Sequence, residues 1–241
     1  MTTPRLWTDL RRFTQARVGL GRVGNAQPTS AHLAFAADHA AARDAVLAEL
    51  DTDALRHALG HPAHLVRSAA PDRQTYLLRP DLGRRLAPGT DLTPAPGCLA
   101  IVIADGLSAL AVQRHAAPLI AALDLPAELI IATQARVALG DPIGAALQAQ
   151  AVLVLIGERP GLTSADSLGA YLTWAPRPGR TDAERNCVSN IRPDGLPIAA
   201  AARKLRWLLS QARTLQLTGV ALKDEEPGTT IKHESKQGLL F

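Results

Sequence analysis

Residues 98–157 read CLAIVIADGLSALAVQRHAAPLIAALDLPAELIIATQARVALGDPIGAALQAQAVLVLIG. Three short apolar runs lie in this stretch: Leu99–Ala104, Leu129–Ala132 and Val152–Ile156. Two helical patterns, Ser108–Leu123 and Asp141–Gln150, separate them. A strand that is apolar at every position is buried on both faces. Such strands alternating with helices predict an α/β fold with a parallel sheet and flanking helices.

The third run stops at Gly157-Glu158-Arg159-Pro160-Gly161. A charged pair in a Gly/Pro turn at the carboxyl end of a buried strand is where open α/β sheets place ligands. The stretch that follows, GLTSADSLG, supplies Gly161, Thr163 and Ser164 as hydrogen-bonding or capping groups. Polar groups above an apolar floor suit a large ligand carrying amides. Further along, Cys187 sits in Arg185-Asn186-Cys187-Val188-Ser189-Asn190. A free cysteine there also reads as a small buried apolar residue.

Outward from this block, residues 1–28 are arginine-rich, carry a short helical pattern and run out at Gly19, Gly21, Gly24 and Pro28. A helix is expected next, capped by Thr29 or Ser30, with Leu33, Ala37, Ala40, Ala41, Asp44 and Leu47 on one face. Residues 51–96 are punctuated by prolines. Pro197–Leu217 predicts a last helix with Ala201, Leu205, Leu208, Leu209, Ala212 and Leu215 inward. The boundaries expected are an N-terminal arm and helical segment over 1–96, an α/β domain over 97–222, and a polar tail over 223–241.

The chain has 241 residues, of which 47% are apolar and only 3% aromatic, so one sizeable core must be built from Ala, Leu, Val and Ile. A formal charge of +4 permits an anionic ligand or an acidic partner surface without demanding nucleic acid. Two distant cysteines, Cys98 and Cys187, argue against a disulfide framework and a structural zinc site. The N-terminus has no apolar h-region and no window has the length of a membrane span, so a cytoplasmic location is expected.

Three motifs invite chemistry. Gly19-Leu20-Gly21-Arg22-Val23-Gly24 matches the dinucleotide fingerprint, but no strand precedes it and no helix opens from it, so a basic arm that lies on something is the better reading. Gly106-Leu107-Ser108-Ala109-Leu110 resembles a nucleophile elbow, yet Leu110 stands where the elbow needs a small residue, and a serine there is more often a helix cap. His57, His61 and His64 approach metal-binding spacing, but Gly60 and Pro62 break the helix and no carboxylate or cysteine completes a set. No metal site is expected.

In order along the chain, LRRFTQARVGLGRVGNAQPT, YLLRPDLGRRL, VIADGLSALAV, LIGERPGLTSADSLGAYLTWAPRPG and ERNCVSNIRPDGLP resemble the small-subunit family of ethanolamine ammonia-lyase, over residues 10 to about 197. The GERPGL and RNCVSNI pair is the most specific part. The resemblance implies a Rossmann-like domain that covers one side of adenosylcobalamin at the interface with a large subunit. The large subunit, a barrel, holds ethanolamine and most catalytic groups. The implied cofactor contacts are Val137, Glu158 and Cys187, with Ala135 where the family has glycine. No catalytic residue is implied in this chain.

The implied reaction breaks the cobalt–carbon bond homolytically. The adenosyl radical takes hydrogen from the hydroxyl-bearing carbon, and ammonia and acetaldehyde result. The chain lacks the DxHxxG motif whose histidine replaces the cofactor's own base, in keeping with the family's base-on binding. Two other readings stay open: a non-catalytic Rossmann-like module whose Arg-rich arm binds an acidic protein, and an α/β hydrolase using Ser108. Sequence does not decide between the free cytosol and a bacterial microcompartment.

Overall fold

A computed structural model describes residues 5–14 and 16–225. In chain order the elements are α1 (Arg5–Leu10), α2 (Thr29–Leu47), α3 (Thr52–Leu59), β1 (His64–Arg67), α4 (Arg73–Leu78), β2 (Leu99–Ala104), α5 (Ala109–Leu123), β3 (Glu128–Thr133), α6 (Gly140–Leu147), β4 (Ala151–Gly157), β5 (Leu168–Trp174), β6 (Asn186–Ile191) and α7 (Ile198–Leu215). All six strands form one sheet in the order β1-β3-β2-β4-β5-β6.

The three continuous apolar runs are β2, β3 and β4, and they pair in parallel. Every β4 residue is buried. Because successive side chains point to opposite faces, each run feeds two cores. Ile101, Ile103, Leu153 and Leu155 pack on one face with Leu119 of α5 and Leu205 of α7. Val102, Ile130, Val152 and Val154 pack on the other with Leu139, Ile143 and Leu147 around α6. Helices therefore cover both faces, as expected.

A wholly parallel sheet, however, is not what forms. β5 runs antiparallel to β4, and β6 antiparallel to β5. The ten residues between β4 and β5 are a loop with no helix, and without a crossover element the chain can only return antiparallel. The sheet is mixed: β1, β3, β2 and β4 are parallel, and β5 and β6 reverse. β1, from the proline-punctuated segment, joins the sheet edge beside β3.

The helices fall close to their expected places. Ser108 is the N-cap of α5, accepting from the Ala111 N–H at 3.2 Å. α6 ends at Leu147, with Gln148 in the left-handed conformation. α7 buries Ala201, Leu205, Leu208 and Ala212 as its pattern requires, while Leu215 at its end is exposed.

α2 departs from expectation. Pro28, not Thr29 or Ser30, precedes the helix, and no side chain caps it. The face expected to be buried is not: Leu33 is 61% and Leu47 55% exposed, and Ala45 is the helix's buried residue. Of the tail, only Lys223–Glu225 lie among the described residues; Asp224 pairs with Lys204 of α7.

Candidate functional site

The strand order turns back between β3, β2 and β4, so the loops after β2 and β4 face each other at a topological switch point, where α/β sheets bind ligands. The two loops touch through glycines. The Leu107 N–H donates to the Gly157 carbonyl at 2.9 Å. Gly106 has φ +56°, and a Cβ there would lie 2.2 Å from the Gly157 oxygen. Only glycine allows this approach.

A buried carboxylate organises the β2 and β3 ends. Asp105 is 2% exposed. It accepts from the N–H groups of Gln134 (2.8 Å), Ala135 (2.9 Å) and Gly106 (2.9 Å), and pairs with Arg73 at 3.4 Å. Burial pushes its pKa up, and those N–H groups and the guanidinium pull it back. Arg73 and Arg136 stack on the buried Tyr76 ring at 4.9 and 4.3 Å. The Tyr76 hydroxyl donates to the Ala135 carbonyl at 3.0 Å, and the Arg136 N–H donates to Gly83 at 2.8 Å. These contacts fix the backbone on which Val137 follows. Ala135 has no positive φ, so alanine at this position carries no backbone strain.

Val137 opens a 3-10 turn ahead of α6 and packs partly buried on the α6 side of the sheet. Tyr171 packs on that same side. Glu158 leaves the end of β4. Its backbone N–H donates to Ser167 at 2.9 Å, and its Oε2 accepts from the Ser167 hydroxyl and from the Asn190 N–H at 3.2 Å. Its Oε1 lies over Gly169, where a Cβ would stand 3.0 Å away.

Cys187 is exposed and is the cross-strand partner of Tyr171. Crowding desolvates its thiol and raises its pKa; the Tyr171 hydroxyl lowers it, and the charge of Glu158 raises it. The Tyr171 hydroxyl is pushed up by the same burial, then by Cys187 and Glu158. The structure thus brings Glu158 and Cys187 together through Tyr171, with Val137 on the same side of the sheet. Sequence reasoning missed Tyr171, Ser167 and Asn190, because their proximity to Glu158 exists only once β5 and β6 fold back.

The result is an open ledge. Two half-open pockets, of about 760 and 570 Å³, lie around Glu128 and Pro126 at the opposite, amino-terminal end of the parallel strands. An acceptor above an aromatic and aliphatic floor can hold N–H donors of a large ligand, but it cannot enclose one alone.

The other motifs resolve into structure. The Ser108 hydroxyl is buried and donates to the Ala165 carbonyl at 2.7 Å, so it is a cap and a loop tether, not an exposed nucleophile. Gly19 carries φ +60° and lies against Trp7, while Arg11 Nε donates to the Val18 carbonyl at 3.0 Å. The glycine motif is therefore the bend of the arm, and among the described residues no strand precedes it. No group of three or more metal-ligating side chains occurs among the described residues.

The model of the ethanolamine ammonia-lyase light chain family matches residues 4–223. The chain is 54% identical over 238 residues to the ethanolamine ammonia-lyase small subunit of Azotobacter vinelandii, covering 91% of this chain and 88% of the relative. It is 55% identical over 234 residues to the corresponding protein of Bradyrhizobium diazoefficiens, covering 90% of each. With that of Xanthomonas campestris pv. campestris strain B100 it shares 51% over 244 residues, covering 93% and 90%. The chain belongs to the ethanolamine ammonia-lyase light-chain family, the small subunits of a carbon–nitrogen lyase.

Proposed function

We propose that this chain is the small subunit of an adenosylcobalamin-dependent ethanolamine ammonia-lyase and holds one face of the cofactor at its interface with the large subunit. The observation that carries the proposal is the Glu158 carboxylate. One oxygen is fixed by Ser167 and Asn190, while the other lies over Gly169 beside Tyr171 and Cys187. A carboxylate held at one oxygen presents the other as an acceptor, matching the amide N–H donors on a corrin's rim. Val137 and Cys187 offer apolar contact on the same side of the sheet. The ledge is open, so a second protein surface must complete it.

In this reading the domain over 97–222 is a Rossmann-like cobalamin-binding unit whose sheet ends in a reversed pair of strands. When bound, adenosylcobalamin supplies the radical chemistry that converts ethanolamine to acetaldehyde and ammonia. This chain's residues anchor the cofactor and exclude water; none acts as acid, base or nucleophile. The large subunit holds ethanolamine, and the assembly works in the cytoplasm. Among the described residues, no helix is long and apolar enough to cross a membrane.

Titration of the two-subunit complex with hydroxocobalamin, followed by its absorption spectrum, tests the assignment. Glu158→Gln keeps the shape but loses a charged acceptor, and should weaken binding by roughly ten-fold or more, since a hydrogen bond to a charged group contributes about 1.5–3 kcal/mol. Wild-type affinity in the variant would remove Glu158 from the site. Ammonia release by the large subunit without this chain would overturn the whole reading.

A further inference from the structure

Eight of the thirteen large apolar side chains that stand exposed among the described residues fall before residue 48. Phe13 is 87%, Leu6 64% and Leu33 61% exposed, and they lie with Phe35 and Leu47 on the arm and α2. Clustered exposed apolar residues mark an interaction surface, whereas scattered ones need no explanation.

The arm and α2 behave as one unit. Arg11 pins the arm's own bend at Val18, and Arg17 ties the arm to α2 by pairing with Asp38 and stacking on the Phe35 ring at 5.6 Å. That unit is anchored to the body at one end. Arg73 Nε donates to the Val46 carbonyl at 2.8 Å, and Arg73 Nη1 donates to Gly106 at 2.9 Å. Gly106 lies at the β2 end, against the Gly157-Glu158 turn. The exposed unit is therefore tied down at the same carboxyl end of the parallel strands that carries the Glu158 ledge.

Charge narrows the occupant. Residues 1–47 carry six arginines against three aspartates. Asp38 pairs with Arg17 and Asp44 with Arg43, so among the described side chains Arg11, Arg12 and Arg22 stand against Asp9 within this segment. Two copies of this surface would bring like charges together. A complementary partner is apolar and acidic.

We infer that the arm and α2 form the docking surface for the large subunit, with an apolar stripe inserted into that subunit and the arginines met by its acidic groups. This rests on the small-subunit reading above and adds where the grip lies: contiguous with the cofactor ledge, but formed without cofactor.

The test is association of the two full-length subunits in the absence of any cobalamin, measured by sedimentation at low and high salt. Phe13→Asp with Leu33→Asp, and separately Arg12→Glu with Arg22→Glu, should each weaken association by roughly ten-fold or more, because a few central residues carry most of an interface's energy. Wild-type association should weaken as salt rises. Val220→Asp, at an exposed site on the far side of the sequence, should leave it unchanged. Circular dichroism and melting of each variant should match wild type, since the altered side chains are exposed.

If both double variants bind like wild type, the docking surface is wrong even where the complex still binds cobalamin. If they abolish self-association of this chain while leaving large-subunit binding intact, the occupant is a second copy and the inference fails. If wild type does not bind the large subunit at all, the small-subunit reading itself falls and takes this inference with it.

Discussion

Glu158 Oε2 accepts a hydrogen bond of 3.2 Å from the backbone N–H of Asn190, 32 residues away in the chain. This contact joins the end of β4 to the end of β6 and requires both reversals of chain direction between them. It also leaves the second carboxylate oxygen of Glu158 over Gly169, so the position of the acceptor proposed for the ligand is set by the β4–β5–β6 register.

Gly169→Ala should therefore act on the ligand and spare the fold. Its added Cβ would lie 3.0 Å from Glu158 Oε1 and 3.3 Å from Tyr171 Cε2, and the carboxylate must shift. Residue 169 has no positive φ, and alanine suits a strand better than glycine, so the melting temperature should hold or rise slightly. Cobalamin affinity of the two-subunit complex should drop; spectrophotometric titration reads this directly.

Arg185→Met should be among the most destabilising changes. Arg185 grips Asp141 with two bonds of 2.8 and 2.7 Å and also reaches Thr173 at 2.9 Å. Asp141 is 2% exposed, so removing the cation strands a buried carboxylate. The expected cost is about 3–5 kcal/mol by urea denaturation. Arg185→Met combined with Asp141→Leu should recover much of it.

Ser108→Ala separates a cap from a nucleophile. Losing the cap and the tether to Ala165 should cost about 0.5–2 kcal/mol of stability. Ammonia release per assembled complex should be nearly unchanged. Complete loss of turnover in a folded complex would restore a chemical role for Ser108.

Cys187 is accessible but electronically poor. Desolvation, with the neighbouring Glu158 charge, raises its pKa, so at pH 8 less of it is thiolate than of an ordinary cysteine. Iodoacetamide should label it more slowly than a small free thiol, and the rate should climb as pH rises toward the raised pKa. Binding of hydroxocobalamin in the complex should protect it, as mass spectrometry would reveal.

Glu184 gives a pH signature. It closes a capping box with Thr181 and pairs with Arg180, and these contacts lower its pKa to about 2. A depressed folded pKa means the contacts stabilise fully above the ordinary carboxylate value of 4.5 and are lost as pH falls from there to about 2. An NMR titration should find the Glu184 carboxyl shift moving near pH 2. Glu184→Gln should flatten stability across that interval.

By itself the sequence determined the centre of this protein. Short runs without a polar residue, such as Leu99–Ala104 and Val152–Ile156, bounded by turn residues, read as strands covered on both sides, and the helices between them make those strands parallel. The face of α7 followed from a 3.6-residue period, and the turn at Glu158 from where the last run stops. Tertiary structure decided what periodicity cannot encode. β1 is four residues long with only Val66 buried, too short a pattern to read. β5 and β6 reverse because a loop, not a helix, follows β4, and strand direction leaves no trace in side-chain alternation. The meeting of Glu158, Tyr171 and Cys187 depends on that reversal. The exposure of Leu33 and Leu47 is likewise a tertiary outcome: an apolar stripe says that a helix wants a partner, and only the packed chain reveals that this one lies outside its own core.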